Sequence, residues 1–222
     1  MNYTFQFGIL WDYGPYLAWG LWHAWWTSLP SIVFATLLGL VLAAMSLSRL
    51  RMVKGVAVVF VDLFRTLPVV VLLIWIHYVL PILTGFSFSP TGSSIIALSL
   101  NGAALACEAF RGGLEAIPPT QQQAAQSLGF SRWHVLRYVI VPQAMFATLP
   151  SLTNVHITVI KNVTVTVLIA VPEVMFRAQE LTVQFFRPLE LYTGAAVLYV
   201  ALIGGYTLVM RRLERLQKWQ PI

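Results

Sequence analysis

Four charged side chains, Asp62, Arg65, Glu108 and Lys161, lie inside long apolar stretches of this sequence, where a charged group is costly to bury. Arg65, Glu108 and Lys161 each interrupt a run of hydrophobic residues, and a charge at the centre of a bilayer costs about 2.5–3.5 kcal/mol on insertion scales. Arg65 follows Gly55 by ten residues, which is about 15 Å along a helix that rises 1.5 Å per residue. Because a guanidinium binds carboxylates in a planar, two-pronged geometry, Arg65 is a candidate for holding an acidic ligand in a polar cavity.

Ion pairing within one helix is the competing interpretation for Arg65 and Glu108. Asp62 precedes Arg65 by three residues, and Arg111 follows Glu108 by three, so each pair would lie on one face of a helix. Lys161 has no acidic residue at such a spacing, and no partner within its own helix is predicted. For Arg65 and Glu108, a local pair and a ligand-binding role both remain open.

Uncharged polar residues accompany these charges. Asn101 precedes Glu108 by seven residues, which is two helical turns, and therefore lies on the same helix face. Asn162 and Thr164 follow Lys161 closely, and polar groups beside an intramembrane charge are typical of a functional site. The predicted polar pathway consists of Arg65, Asn101, Glu108, Lys161, Asn162 and Thr164.

The composition indicates that the elements positioning these residues are membrane helices. Of the 222 residues, 58% are hydrophobic and only 10% are charged, with a mean hydropathy of +0.76, whereas soluble domains carry about 25% charge. This composition excludes a soluble globule, and it excludes a disordered chain because such chains are poor in large apolar residues. The single cysteine, Cys107, excludes a disulfide framework and a cysteine-rich metal site, and we expect no cofactor.

Five apolar stretches are candidates to cross a bilayer, which takes about 20 residues per helix. The fourth is interrupted by Pro142 and Pro150, so we place its span after Pro150 and expect residues 138–149 to lie along the membrane interface. The predicted fold is an all-α, polytopic membrane protein in which residues 1–222 form one transmembrane domain. The spans are predicted at residues 21–45, 56–79, 95–110, 150–171 and 191–210.

The charges outside these stretches alternate along the chain. From the N-terminus onwards the segments carry −1, +3, 0, +2, −1 and +3, the last from a tail that includes Lys218. Lys and Arg collect in the cytoplasmic loops of membrane proteins. We therefore predict an N-terminus outside the cytoplasm, five spans and a cytoplasmic C-terminus. The same rule accounts for the net charge of +6 without a nucleic-acid partner.

The longest predicted cytoplasmic loop, about residues 111–142, has helical signals of its own. The Pro118–Pro119 pair can end one helix and begin the next, Gln121–Leu128 are mostly good helix formers, and Gly129 suits a helix C-terminus. Ser131 can then cap a second short helix. The sequence of the loop therefore predicts a helix, a glycine turn and a second helix. From periodicity alone, a hairpin resting on the membrane surface is an equal alternative to a partner-binding element.

This loop resembles the EAA loop of permeases from binding-protein-dependent ABC importers. That motif has Glu-Ala-Ala, three residues, Gly, nine residues, Ile, one residue and Leu-Pro, and every spacing is kept here although Gln123 replaces the glutamate. Glu108–Leu114, Lys161–Val165 and Phe64–Pro68, which lacks one glycine, are similar to motifs of the polar amino-acid branch of this family. The motif positions that we single out are Gln123, Ala124, Ala125, Gly129 and Pro142.

The resemblance implies an architecture and a set of partners. It implies a type I importer permease fold in which the EAA loop is a coupling helix that binds a cytoplasmic ATPase. It also implies an ATPase dimer, a second permease subunit that is identical or paralogous, a periplasmic substrate-binding protein and a location in the bacterial inner membrane. The stretch 67–81 resembles permeases for glutamate and aspartate, with glutamine, histidine and arginine as alternative substrates within the family.

An intramembrane enzyme and a simple channel are the competing functional classes. The sequence has no Gly-x-x-x-x-Gly-Lys-Ser/Thr phosphate loop, so ATP hydrolysis would belong to a partner subunit. It also lacks the Gly-x-Ser-x-Gly and His-Glu-x-x-His motifs of hydrolases and metalloproteases, and we expect no enzyme activity. A simple channel would not explain the motif spacing of the cytoplasmic loop.

Overall fold

The computed structural model describes residues 4–216, and the regular structure of that part is entirely helical. The all-α prediction is therefore confirmed, while residues 1–3 and 217–222 of the predicted domain, including Lys218, lie outside the described part. The helices are α1 (Ile9–Asp12), α2 (Gly14–Ser46), α3 (Arg51–Thr66), α4 (Val69–Thr84), α5 (Pro90–Glu115), α6 (Pro119–Ser127), α7 (Arg132–Ile169), α8 (Val174–Phe185) and α9 (Pro188–Leu216).

Four helices, α2, α5, α7 and α9, are each long and apolar enough to cross a membrane. The pair α3 and α4 passes the same test only as one unit, and its halves meet at an angle of 103°. The predicted second span, residues 56–79, is therefore broken rather than straight. Leu67 is extended at the break, with ψ of 127°, because the ring of Pro68 disfavours a helical conformation for the residue before it.

Helix α7 continues through Pro150, which lies inside its α-helical part. The structure therefore does not contain the predicted break between an interfacial segment 138–149 and a span that begins at Pro150. Packing against α5 on both sides of the proline explains the continuity. Thr148 packs against Gly113 before Pro150, and Leu152 shares an apolar cluster with small residues of α5 after it. Neighbouring helices commonly compensate in this way for the hydrogen bond that a proline removes.

Two π-helical turns, Trp75–Val79 in α4 and Leu136–Ile140 in α7, each end two residues before a proline. Pro81 and Pro142 have no N–H group, so each lacks the hydrogen bond that a helical residue normally donates. The N–H of the residue before each proline bonds instead to the carbonyl five residues back. Pro142, one of the predicted coupling-loop positions, thus follows a widened turn of α7.

Helix α5 lies against both α2 and α7 and carries small residues where the helices cross. A Cβ added at Gly39 of α2 would lie 2.6 Å from the Cβ of Ala106, and one added at Gly102 of α5 would lie 2.8 Å from the Cβ of Ala35. Small residues of this kind allow membrane helices to approach closely and to pack through van der Waals contact. The polar side chains of α5 therefore project from a closely packed helix pair.

The segment 172–190, predicted as an extracytoplasmic loop, contains α8 and packs into the apolar core. Val174, Ala178 and Leu181 are buried together with Leu17 of α2. Their spacing places them on one face, as in the apolar stripe of an amphipathic helix. The charged residues around them obscure this stripe in the sequence. The segment therefore connects α2 and α9 and does not form an open loop.

Candidate functional site

The predicted helix, glycine turn and second helix of the loop 111–142 are present. Helix α6 ends in a Schellman motif, in which the N–H of Gly129 bonds to the carbonyl of Gln126 at 2.9 Å and the next N–H bonds to the carbonyl of Ala125 at 3.2 Å. The motif requires a left-handed residue, and Gly129 has φ of +84°. Ser131 then caps α7 by accepting a hydrogen bond from the N–H of His134 at 3.4 Å.

Residues 119–131, which contain the glycine turn, carry no charged side chain, and the exposed Arg132 follows them. Gln123 and Ala124 are exposed, whereas Ala125 is buried. Leu128, which is 79% exposed, and Trp133, which is 64% exposed, add large apolar groups beside them. A cluster of exposed apolar and aromatic side chains is typical of a protein–protein contact. The motif in the sequence indicated the helix and the turn, but not the contribution of Leu128 and Trp133.

An ion-pair network joins α3 to α5 and contains two of the predicted pathway residues. Nη1 of Arg65 lies 3.8 Å from Oε2 of Glu108, and its Nη2 lies 3.9 Å from Oδ1 of Asp62. Glu108 also pairs with Arg111 at 3.0 Å, and Arg111 pairs with Glu115 at 3.8 Å. Both local pairs are therefore present, and Arg65 and Glu108 add a contact between helices. Their side chains are 48% and 36% exposed, so the network borders an open space.

Asn101 lies on α5 and reaches the end of α3. Its Nδ2 donates a hydrogen bond to the carbonyl oxygen of Phe64 at 2.9 Å. Phe64 belongs to the last turn of α3, where carbonyl groups lack helical donors because the chain is extended at Leu67 and Pro68. Asn101 and Glu108 therefore both contact the last turns of α3. They can do so because they lie on the same face of α5.

Lys161, Asn162 and Thr164 lie where α7 changes from an α-helix to a 3₁₀ helix. The hydroxyl of Thr164 donates to the carbonyl oxygen of Lys161 at 2.8 Å. Lys161 is exposed, and it forms no ion pair within the described part of the chain. Val165 shares an apolar cluster with Phe64, so the 3₁₀ segment packs beside the broken span. The structure does not join Lys161 to the ion-pair network.

A histidine links three helices elsewhere in the bundle. Nε2 of His156 lies 2.9 Å from the hydroxyl oxygen of Thr36, and its Nδ1 lies 2.6 Å from the hydroxyl of Tyr206. Thr36 donates its own proton to the carbonyl of Ile32, so it accepts from Nε2. His156 thereby holds α2, α7 and α9 together. Among the described residues, no group of histidines, cysteines and carboxylates could hold a metal ion.

Glu173 is a fully buried carboxylate that no pattern in the sequence singled out. It accepts hydrogen bonds from the N–H groups of Met175 at 2.8 Å and Phe176 at 3.0 Å, and from the hydroxyl of Tyr199. Burial raises the pKa of Glu173 above its ordinary value, although these hydrogen bonds oppose the shift. Its position just before the apolar stripe of α8 is the sequence signal for this helix cap.

The chain is similar to membrane transport proteins over most of its length. The family described as "Binding-protein-dependent transport system inner membrane component" matches residues 35–218. The glutamine transport system permease protein GlnP of Escherichia coli (strain K12) is 30% identical over 215 residues, covering 96% of this chain and 98% of GlnP. The L-cystine transport system permease protein TcyB of Bacillus subtilis (strain 168) is 30% identical over 218 residues, covering 96% and 93%. The arginine transport system permease protein ArtQ of the same organism is 30% identical over 185 residues, covering 83% and 84%.

Solved structures of two ABC transporters share this arrangement of helices. The crystal structure of an amino acid ABC transporter with histidines has a TM-score of 0.90 and 27% identity, and the match covers 96% of this chain and 99% of that one. An inward-facing structure of the MetNI methionine ABC transporter has a TM-score of 0.76 and 17% identity, covering 93% and 98%; this second likeness concerns the fold alone. The predicted type I importer permease fold is therefore confirmed.

Proposed function

Because the chain belongs to the family of binding-protein-dependent transport system inner membrane components, it is a permease subunit of an ABC importer for an amino acid, and we propose that its substrate is a polar amino acid, with glutamate or aspartate as the first candidate. The chain is an inner-membrane protein and not itself an enzyme. The partners that this function requires are an ATPase dimer, a second permease subunit and a periplasmic binding protein.

The observation that carries the proposed substrate is the position of Arg65. Its half-exposed guanidinium lies at the end of the first half of a broken membrane helix, and transporters commonly build substrate sites from such discontinuous helices. Lys161 is a second exposed cation, two residues before the 3₁₀ segment that packs beside the break. Two cations would favour a substrate with a side-chain carboxylate. The proposed pathway residues are Arg65, Asn101, Glu108, Lys161, Asn162 and Thr164.

A neutral or basic polar amino acid is the second candidate. Arg65 is already paired with two carboxylates, Asp62 and Glu108, and the ion-pair network contains three carboxylates but only two guanidinium groups. This excess of negative charge would favour an amino group over a further carboxylate. The named relatives transport glutamine, arginine and cystine, which supports glutamine or arginine as the alternative substrate, with histidine as a further possibility within the family.

The proposed coupling to the ATPase rests on the continuity of α5 with the loop. Helix α5 carries Asn101 and Glu108 and ends at Glu115, and only three residues separate it from α6, which begins at Pro119. A movement imposed on α6 by closure of the ATPase dimer would therefore reach the ion-pair network through one rigid helix. The proposed coupling-loop positions are Gln123, Ala124, Ala125, Gly129 and Pro142, to which the exposed Leu128 and Trp133 add apolar surface.

The proposed orientation has the N-terminus outside the cytoplasm, five spans and the loop 111–142 in the cytoplasm. A reporter enzyme that is active only in the cytoplasm, fused after residue 222, tests this orientation. We expect activity, and the same reporter fused before residue 1 should be inactive. The opposite pair of results would contradict the proposal and would place the loop 111–142 away from any ATPase.

The substrate is tested by competition for uptake in proteoliposomes that contain the assembled complex and its binding protein. We expect excess unlabelled glutamate and aspartate to reduce the uptake of labelled glutamate to background. Excess glutamine and arginine are the matched competitors, and they should have little effect. Uptake of glutamine or arginine that resists both acidic amino acids would contradict the acidic assignment and favour the second candidate.

A further inference from the structure

The break between α3 and α4 leaves the carbonyl oxygen of Phe64 without a backbone partner. In a continuous helix this oxygen would accept a hydrogen bond from the N–H of residue 68, but Pro68 has none. The extended conformation of Leu67 also directs the chain away from the helix axis. An unpaired carbonyl group is strongly unfavourable inside a membrane protein, where little water is available to replace the missing donor.

Another helix supplies the missing donor. Nδ2 of Asn101 on α5 lies 2.9 Å from the carbonyl oxygen of Phe64. Asn101 is only 9% exposed, and the adjacent Gly102 approaches Ala35 of α2 so closely that α5 has no room to shift towards it. The amide therefore acts as a C-terminal cap for α3 from a fixed position.

We propose that Asn101 is a positioning residue whose hydrogen bond to the carbonyl of Phe64 holds Arg65 beside Glu108. Arg65 is the residue that follows Phe64, and Glu108 lies two turns beyond Asn101 on the same helix, so one hydrogen bond sets both partners in register. The 3.8 Å contact between Arg65 and Glu108 depends on this register. Asp62, the other partner of Arg65, belongs to α3 itself, and that pair would survive a shift of α3.

This role differs from direct contact with substrate. A residue that touches substrate needs an accessible polar group, whereas Asn101 is buried and one of the two N–H donors of its side chain is already engaged with Phe64. Its effect on transport would pass through Arg65 and Glu108, and in this respect the inference rests on the proposed pathway. Its effect on the contact between Arg65 and Glu108 does not depend on which substrate is carried.

The test is a double-mutant cycle on Arg65 and Glu108 in two backgrounds. R65Q, E108Q and the double variant are made with Asn101 intact and again with N101L, which has the same branched shape and no donor. Uptake by the assembled complex in proteoliposomes gives KM for each. With Asn101 intact, we expect the effect of the double variant on KM to differ by about twofold to fivefold from the product of the two single effects. This is the coupling expected of a partly exposed ion pair. With N101L we expect no such coupling.

Two further variants serve as controls. N101V also lacks a side-chain donor and adds no charge, and it should abolish the coupling as N101L does. S99A lies on the same helix and removes a buried hydroxyl that faces Ser31 of α2 at 3.5 Å rather than α3, so it should leave the coupling intact. Coupling that persists in both Asn101 variants would overturn the inference. Failure of both variants to assemble would also overturn it, because Asn101 would then be required for folding as a whole.

The cycle also separates this inference from the proposed function. If R65Q and E108Q each leave KM unchanged, the assignment of these residues to the substrate pathway fails. The same cycles are then measured on the thermal unfolding midpoint of the detergent-solubilised complex, to which the ion pair contributes regardless of substrate. Coupling in the midpoint that disappears with N101L would support the positioning role, and coupling that persists would overturn it.

Discussion

Thr148 of α7 occupies the space that a side chain at Gly113 of α5 would need. A Cβ added at Gly113 would collide with the hydroxyl of Thr148 and would lie 3.0 Å from the carbonyl oxygen of Ala144. The hydroxyl of Thr148 is held by its own hydrogen bond to that carbonyl at 2.7 Å. The last turn of α5 is therefore locked onto α7 just before the chain enters the loop that contains α6.

We expect G113A to destabilise the complex and to weaken coupling. The added methyl group forces α5 and α7 apart, and overpacking of this kind costs about 1–3 kcal/mol. G112A is the matched control because a Cβ at Gly112 has no neighbour within 4 Å, and it should be neutral or stabilising. Thermal unfolding of the solubilised complex and ATP-driven uptake measure the two effects. Equal behaviour of G112A and G113A would contradict the close packing described above.

We expect G129L to uncouple transport from ATP hydrolysis. Gly129 has φ of +84°, where a non-glycine residue costs about 1–2 kcal/mol, so leucine would distort the turn that follows α6. G129N is the control, because asparagine tolerates the left-handed conformation better than other residues, and it should retain most of the transport. Uptake and substrate-stimulated ATPase activity are measured on the same preparations. Survival of both activities in G129L would refute the coupling role of this turn.

The stability of the complex should fall as the pH rises, because of Glu173. Burial raises the pKa of Glu173 above its ordinary value of 4.5 in the folded protein, so the folded state holds this proton more tightly than the unfolded state. The resulting stabilisation is fully present below pH 4.5 and is lost as the pH rises through the folded-state pKa. We expect the unfolding midpoint of E173Q to vary less with pH across this window. D12N, which changes an exposed carboxylate of α1, should retain the original profile.

Replacing Lys161 tests the cationic character of the pathway. We expect K161M to raise KM for an acidic substrate about tenfold or more, because a charge-assisted hydrogen bond contributes about 1.5–3 kcal/mol. K54M, at an exposed position near the start of α3, removes a lysine outside the pathway and should leave KM unchanged. The measurement is uptake as a function of substrate concentration. A lower KM in K161M would indicate a cationic substrate, and an unchanged KM would remove Lys161 from the pathway.

The sequence alone predicted the class of fold and the local shape of the loop 111–142. The hydrophobic content identified membrane helices, because a chain with so many apolar residues and so few charged ones cannot form a soluble globule. The glycine turn at Gly129 and the cap at Ser131 were also predictable, since each depends on hydrogen bonds among residues fewer than six positions apart. The pairs of Asp62 with Arg65 and of Glu108 with Arg111 follow from helical spacing in the same way.

Only the tertiary structure decided which of these elements meet. The contact between Arg65 and Glu108 and the hydrogen bond from Asn101 to Phe64 join residues about forty positions apart, and no pattern in the sequence specifies the crossing of α3 and α5. The continuity of α7 through Pro150 and the burial of α8 likewise depend on neighbouring helices. Periodicity and capping act within a few turns of one helix, whereas close packing, broken spans and buried polar contacts depend on which helix faces lie against each other in the folded bundle.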